Sequence, residues 1–169
     1  MTAPTHAMLG VATLFGAVAV QPETLSITKV TMAAASLGSL APDLDHPSSW
    51  LGKRLFFVSI PLAGMLGHRG LTHSLLAGVI ATLVLGWSLQ ADSIVPWMVA
   101  FLLGYISHLV GDWMTGGVPL LWPSRKRFRA PFAFQTGSLF ERVFALGLGT
   151  SLIFIGLRLF LDVDFGRHL

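Results

Sequence analysis

Histidine and aspartate residues recur in short motifs along this chain of 169 residues, which contains no cysteine. The motifs read "PDLDH", "HRGLTHS" and "SHLVGD", and one further histidine lies near the start of the sequence. Without thiolates, a bound metal ion would take imidazole nitrogens and carboxylate oxygens as its ligands. The candidate ligands are His6, Asp43, Asp45, His68, His73, His108 and Asp112.

The spacing within the motifs predicts how these side chains are presented. His108 and Asp112 are four residues apart, so on a helix they share one face and can chelate one ion or two neighbouring ions. His68 and His73 are five residues apart and would diverge by about 140° on one helix. We therefore predict that His68 lies on a turn between two glycines and that His73 lies in the first turn of the helix that follows.

The carboxylates of "PDLDH" follow a proline, which sets an extended or turn-like path for its neighbours, and we predict an extended segment here. On such a path Asp43 and Asp45 point alternately, so that one can bind a metal ion while the other binds a second ion or orients a ligand histidine. Asp45 or His46 is a candidate proton acceptor. Arg69 is a candidate for neutralising charge on a transition state.

The ligand types indicate a divalent metal ion, with Zn²⁺ expected first and Mn²⁺ or Fe²⁺ as alternatives. We expect one to three ions, and two close ions would activate a water and clamp the oxygens of a phosphoester. Each motif also has a structural interpretation, since aspartates after a helix are usually solvated and a histidine at a helix start is often interfacial. Glu141 is expected to be a helix-start carboxylate stabilised by the macrodipole rather than a ligand.

Composition predicts where these motifs reside. The chain is 53% hydrophobic and 11% charged, whereas soluble domains carry roughly 25% charged residues. Its mean hydropathy is +0.72. At this hydrophobicity only helices satisfy their own backbone in lipid, so we predict an all-α integral membrane protein with one membrane-embedded domain over residues 1–169. About five transmembrane helices are expected, near residues 5–20, 25–41, 71–90, 94–110 and 143–161, with a short interfacial or re-entrant segment near 55–66.

The distribution of basic residues predicts the orientation. Alternate threading of the five spans gathers most of them on one side, which the positive-inside bias makes cytoplasmic, together with the amino terminus. The same threading brings the candidate ligands to that side. Because hydropathy and not the histidines set the threading, this convergence favours a shared metal site. The basic residues on that side are Lys53, Arg54, Arg69, Arg125, Lys126, Arg127, Arg129 and Arg142.

A basic run, "WPSRKRFRAPF", combines four cations with aromatic residues. Such a run is typical of an interfacial belt that binds anionic lipid head groups. It could also steer a phosphate-bearing substrate toward the metal ions. The run is short and touches the membrane plane, so nothing in the sequence favours binding of a nucleic acid duplex.

Four motifs in order, "THAMLG", "PDLDH", "HRGLTHSL" and "GYISHLVGDWMTGGVPLLWP", resemble the YdjM-like family of bacterial inner-membrane proteins, described as membrane-bound metal-dependent hydrolases. The resemblance runs from residue 5 to about residue 132. The family is distantly similar to zinc-dependent phospholipase C and related nucleases, which implies hydrolysis of a phosphodiester or phosphomonoester. Those soluble enzymes use a free amino-terminal residue as a ligand, and here only His6 is comparable. By this similarity the polar signature positions are His6, Asp43, Asp45, His46, His68, His73, His108 and Asp112.

Two classes of function follow from these observations. The first is a multi-pass hydrolase of the bacterial inner membrane that uses its metal ions at the cytoplasmic face on a phosphoester, such as a lipid head group, with membrane lipids as its partners. The second is a divalent-metal transporter, which predicts ligands near the bilayer midplane. A phosphatidic-acid phosphatase also contains an H-x3-D element, but its Ser-Gly-His motif is missing from this sequence.

Overall fold

A computed structural model describes residues 1–66, 70–89, 94–124 and 126–166 of the chain. Within these ranges the chain forms six α-helices and two 3₁₀ turns, one after α2 (Ala41–Asp45) and one before α4 (Leu71–His73). The helices are α1 (Ala3–Val20), α2 (Lys29–Leu40), α3 (Phe56–Leu66), α4 (Leu75–Leu89), α5 (Ile94–Thr115) and α6 (Leu139–Gly166).

The helix lengths agree with a membrane protein. Three helices in the described ranges are long and apolar enough to cross a bilayer: Ala3–Val20, Val95–Thr115 and Leu139–Leu159. α4 has 15 residues and α2 has 12, fewer than the roughly 20 that a straight span needs. The short apolar helix expected near 55–66 is α3, with Pro61 inside it. The prediction of an all-α membrane protein is confirmed.

The core is built around α5, which contacts α1, α2 and α4. α2 and α5 approach most closely where each has a glycine. A Cβ on Gly38 would lie 2.0 Å from the carbonyl oxygen of Phe101, and a Cβ on Gly104 would lie 2.0 Å from that of Ala35. Small residues at such crossings allow backbones to touch. Because Gly104 lies one turn before His108, this contact places the carboxyl end of α2 beside the histidine.

The outer faces of α4 and α6 remain apolar and exposed. α6 packs along α1, and much of its remaining surface is formed by exposed Leu, Phe, Val and Ile side chains. Apolar surface of this kind is at its most stable in hydrocarbon. Membrane lipids therefore contact these faces. Examples are Leu83, Trp87, Leu146, Ile153 and Phe154.

Two local predictions are wrong. His73 does not lie in the first turn of a helix, because Ser74 is extended and its hydroxyl accepts a hydrogen bond from Ala77 N at 3.2 Å, so that Ser74 caps α4 and leaves His73 in the 3₁₀ turn before it. The stretch after Pro42 is also not extended. It forms the 3₁₀ turn Ala41–Asp45, since the φ of proline suits the first turn of a helical segment.

The loop that follows α5 closes the carboxyl end of that helix. The last four carbonyls of α5 each receive a donor from this loop, three from backbone N–H groups and one from an arginine. These bonds hold the helix end that carries the "SHLVGD" motif. The donors are Gly117 N to Asp112 O at 2.8 Å, Ala130 N to Trp113 O at 2.9 Å, Phe134 N to Met114 O at 3.1 Å and Arg129 Nε to Thr115 O at 3.2 Å.

Candidate metal centre

Donor side chains from four separate segments converge in the helical bundle. α1 contributes His6, the first 3₁₀ turn contributes Asp43, the second contributes His73, and α5 contributes His108 and Asp112. They form two overlapping groups, and within each group the donor atoms all lie within 4.8 Å of one another. The groups are His6 with Asp43 and His108, and His73 with His108 and Asp112.

His108 is fully buried, and one of its ring nitrogens, Nδ1, is hydrogen-bonded to the backbone. Nδ1 lies 2.7 Å from the carbonyl oxygen of Ser39. Because a carbonyl only accepts, Nδ1 carries the hydrogen and Nε2 keeps its lone pair. Nε2 lies 3.9 Å from both Asp43 Oδ1 and Asp112 Oδ2. No residue in the described ranges forms a hydrogen bond with it. A buried lone pair aimed at two carboxylates indicates a place for a cation.

His73 touches carboxylates with both ring nitrogens. Nε2 lies 3.6 Å from Asp112 Oδ2 and 3.7 Å from Asp43 Oδ1, while Nδ1 lies 3.5 Å from Asp45 Oδ2. Burial disfavours the imidazolium, but the nearby carboxylates of Asp43 and Asp45 outweigh it and raise the pKa of His73 to about 9. For Asp43 burial opposes ionisation, yet the neighbouring histidines hold the pKa of its carboxyl below the ordinary value.

His6 and Asp112 connect α1 to α5. His6 Nε2 lies 3.5 Å from Asp112 Oδ1, and the His6 ring stacks on that of His108 with centroids 3.8 Å apart. Gly111 leaves room for this ring, since a Cβ there would lie 3.0 Å from His6 Cε1. The α-amine of Met1 lies 3.3 Å from the same Asp112 oxygen. Asp112 thus faces His6, His73 and His108 together.

The chemistry of the donors fits a divalent cation. Three imidazoles and two carboxylates are ligands that Zn²⁺ takes in proteins. A cation between Asp43 and Asp112 would relieve the mutual repulsion of their charges, which burial strengthens. The side chain of Asp43 is 23% exposed, whereas those of His73, His108 and Asp112 are at most 2% exposed. Solvent therefore reaches the described donors beside Asp43.

Other predicted residues lie outside this group of donors. Asp45 is fully buried on the outer side of His73. His46 is half-buried, and the nearer of its ring nitrogens is 3.2 Å from Ser48 Oγ. Glu141 accepts hydrogen bonds from Thr2 N and Gly137 N, each at 2.6 Å. The predictions for His68, Arg69 and Arg125 lie outside the described residues.

The sequence did not predict the groups that support the candidate ligands through hydrogen bonds. Ser39 acts through its carbonyl oxygen, which no residue type reveals. Thr72 donates to Asp45 Oδ2, and Tyr105 donates to the Thr72 carbonyl. The adjacency of Thr72 to His73 in "LTHS" was a signal that Thr72 lies beside the site. The contact of Tyr105 with the Thr72 carbonyl depends on packing, and no motif indicates it.

Comparison with known sequences gives the family. The sequence profile described as "YdjM inner membrane protein" matches residues 1–163. Inner membrane protein YdjM of Escherichia coli (strain K12) is 46% identical over 123 residues, 68% of this chain and 61% of that protein, and the Shigella flexneri protein of the same name gives the same values. Uncharacterized protein YvsG of Bacillus subtilis (strain 168) is 33% identical over 150 residues, 88% of this chain and 89% of that protein.

The chain spans about three fifths of the length of the two YdjM proteins. No solved structure matches it. The profile covers nearly all of the chain, including every described donor of the candidate metal centre. The chain therefore belongs to the YdjM inner membrane protein family.

Proposed function

We propose that this protein is a metal-dependent hydrolase of the bacterial inner membrane that acts on a phosphoester, such as a lipid head group, at the cytoplasmic face. The observation that supports the proposal most is the convergence of His73 Nε2, His108 Nε2 and Asp112 Oδ2 in a buried cluster. Buried ionisable groups in membrane proteins are costly and usually functional.

In this proposal His73, His108 and Asp112 form the centre of the ligand set, and Asp43 and His6 complete it. His108 belongs to both groups of donors, its Nε2 is the nitrogen nearest to both Asp43 and Asp112, and one imidazole nitrogen binds one ion. The described donors thus favour a single ion position, to which His68 can add a ligand. Zn²⁺ is the ion expected first, with Mn²⁺ or Fe²⁺ as alternatives. When bound, such an ion supplies a Lewis acid that polarises a phosphoryl oxygen and activates water.

The remaining predicted residues take supporting roles in this proposal. Asp45 is buried against His73 Nδ1, so we assign it to orienting that ligand. His46 is half-buried and is the better candidate for accepting a proton from water. Arg69, close to His73 in sequence, is the candidate cation for the phosphoryl oxygens.

The positions of the donors support an enzyme over a metal transporter. His6 lies in the first turns of α1, and Asp112 lies in the last turn of α5. Asp43 and His73 lie on 3₁₀ turns outside the long helices. Transport sites are usually formed near the bilayer midplane by interrupted helices. Donors at helix ends suit a reaction at the membrane interface.

The test is an assay of the purified protein in mild detergent after loading with Zn²⁺. Phospholipids, a chromogenic phosphodiester and a chromogenic phosphomonoester are offered, and metal flux into proteoliposomes is measured in parallel. The proposal predicts hydrolysis that is lost in His108→Ala and Asp112→Asn, without flux. Flux that disappears in the same variants, or folded and metal-loaded protein without hydrolysis of any of these esters, would contradict it.

A further inference from the structure

The hydroxyl of Thr72 lies between the carboxylate of Asp45 and the ring of His73. Oγ1 donates a hydrogen bond to Asp45 Oδ2. It also lies 3.2 Å from His73 Nδ1, nearer than Asp45 Oδ2, which is 3.5 Å from that nitrogen. Because the single hydroxyl hydrogen is used toward the carboxylate, the lone pairs of Oγ1 remain to accept from Nδ1–H.

This arrangement sets which nitrogen of His73 can bind an ion. With its hydrogen on Nδ1, His73 presents Nε2 to Asp43 and Asp112, the side on which His108 Nε2 also lies. The Ser39 carbonyl imposes the same tautomer on His108. Two histidines from different segments are therefore fixed alike by different partners, as ligand histidines usually are.

Thr72 is itself tied to the helix that carries the other ligands. Tyr105, buried on α5 three residues before His108, donates its hydroxyl hydrogen to the Thr72 carbonyl oxygen. The ring of Tyr105 is packed against Gly78 of α4, where a Cβ would lie 2.7 Å from the ring. Thr72 is thus anchored through its backbone carbonyl to α5, by a tyrosine that also packs against α4.

We propose that Thr72 is a positioning residue of the metal centre. Its hydroxyl bridges the Asp45 carboxylate and His73 Nδ1 and so holds Nε2 toward the ion. The inference rests on the proposed metal centre. It adds a part that neither the ligand set nor the family assignment contains, since Thr72 does not contact the ion position. A hydroxyl at this point is required, and the methyl group of threonine is not.

The experiment compares Thr72→Val, which keeps the shape and removes the hydroxyl, with Thr72→Ser, which keeps the hydroxyl. Zn²⁺ affinity is measured in detergent by competition with a chelator, and the visible spectrum of the Co²⁺-loaded protein reports on the ligand geometry. Thr82→Val is the matched control, because Thr82 is a buried threonine on α4 whose hydroxyl bonds only to its own helix in the described residues, at Gly78 O.

Loss of an outer partner of a ligand histidine typically lowers metal affinity about 10- to 100-fold. We expect this loss in Thr72→Val together with a changed Co²⁺ spectrum, and affinity within about threefold of wild type in Thr72→Ser and Thr82→Val. If Thr72→Val does not fold, Thr72→Ala and Thr72→Ser provide the same comparison. Wild-type affinity and spectrum in the folded variants that lack the hydroxyl would overturn the role of Thr72 and leave the metal centre intact. Wild-type protein that binds neither ion would overturn both.

Discussion

The imidazole rings of His6 and His108 are stacked, with their centroids 3.8 Å apart and their planes 13° from parallel. One ring comes from the start of α1 and the other from the last turns of α5. Their contact joins the amino end of α1 to the carboxyl end of α5, which carries two of the donors. We interpret the stack as a contact that keeps the His6 and His108 imidazoles side by side at the proposed ion position.

Removing a central ligand should abolish metal binding. His108→Ala deletes the residue shared by both groups of donors, so we expect bound Zn²⁺ to fall from about one ion per chain to near zero. Elemental analysis of the purified protein gives the number. His46→Ala is the comparison, because His46 lies outside those groups, and it should retain its ion. Equal metal content in the two variants would contradict the assignment of ligands.

A rise in pH should lower the stability of the metal-free protein and raise its apparent affinity for the metal ion. The pKa of His73 is raised to about 9 in the fold from an ordinary 6.5. The stability that this gives the metal-free protein is complete below about pH 6.5 and is lost as the pH rises through about 9. Metal binding must displace the proton from Nε2, so apparent affinity should rise over the same window, by at most about tenfold per pH unit.

The measurements are thermal unfolding of the metal-free protein and Zn²⁺ titration at pH 6.5, 7.5 and 8.5, values chosen to lie within that window. Asp43 contributes no slope there, because the pKa of its carboxyl is lowered from an already acidic value. His73→Gln should remove the fall in metal-free stability with pH. A metal affinity that does not change with pH in the wild type would show that no proton is displaced.

The contact between α2 and α5 should not tolerate a methyl group. A Cβ at Gly104 would meet a backbone oxygen at 2.0 Å, which cannot move aside as a flexible side chain can, so we expect Gly104→Ala to destabilise the fold by about 1–3 kcal/mol or more. Gly147→Ala on α6 is the control, since nothing in the described structure lies within 4 Å of its Cβ, and helix propensity favours alanine by up to about 1 kcal/mol. Unfolding midpoints in detergent measure both, and equal midpoints would argue against close contact of the helices.

Glu141 should be a structural residue and not a ligand. Its two oxygens accept from Thr2 N and Gly137 N, each at 2.6 Å, so Glu141→Gln replaces one acceptor by a donor. We expect the fold to lose about 1–3 kcal/mol, while each folded molecule keeps its metal ion. Metal analysis of the folded fraction together with unfolding curves checks this. Loss of the ion without loss of stability would make Glu141 a ligand.

Much of the site was predictable because it depends on residue type and helical spacing. His108 and Asp112 share a face of α5, as four-residue spacing requires, and the donors of the other segments meet them. The local backbone was less predictable. Ser74 caps α4 and leaves His73 outside the helix, and Pro42 begins a 3₁₀ turn in place of an extended stretch. Both outcomes depend on capping and turn chemistry that hydropathy does not register.

The partners behind the ligands could not be predicted for a different reason. Ser39 contributes a backbone carbonyl to His108, and any residue type supplies that group. Tyr105 reaches the Thr72 carbonyl from another helix, which requires knowing how α4 and α5 pack. Contacts of this kind arise from tertiary packing alone, whereas ligand types can be read from the sequence.

We expect a divalent ion in the space between His73, His108 and Asp112. Anomalous diffraction data from crystals of the zinc-loaded protein, collected on both sides of the zinc absorption edge, test it most directly. We predict one strong peak within bonding distance, about 2.0–2.2 Å, of Nε2 of His73, Nε2 of His108 and an Asp112 oxygen. A map without a peak there, or with zinc bound only at other residues, would contradict it.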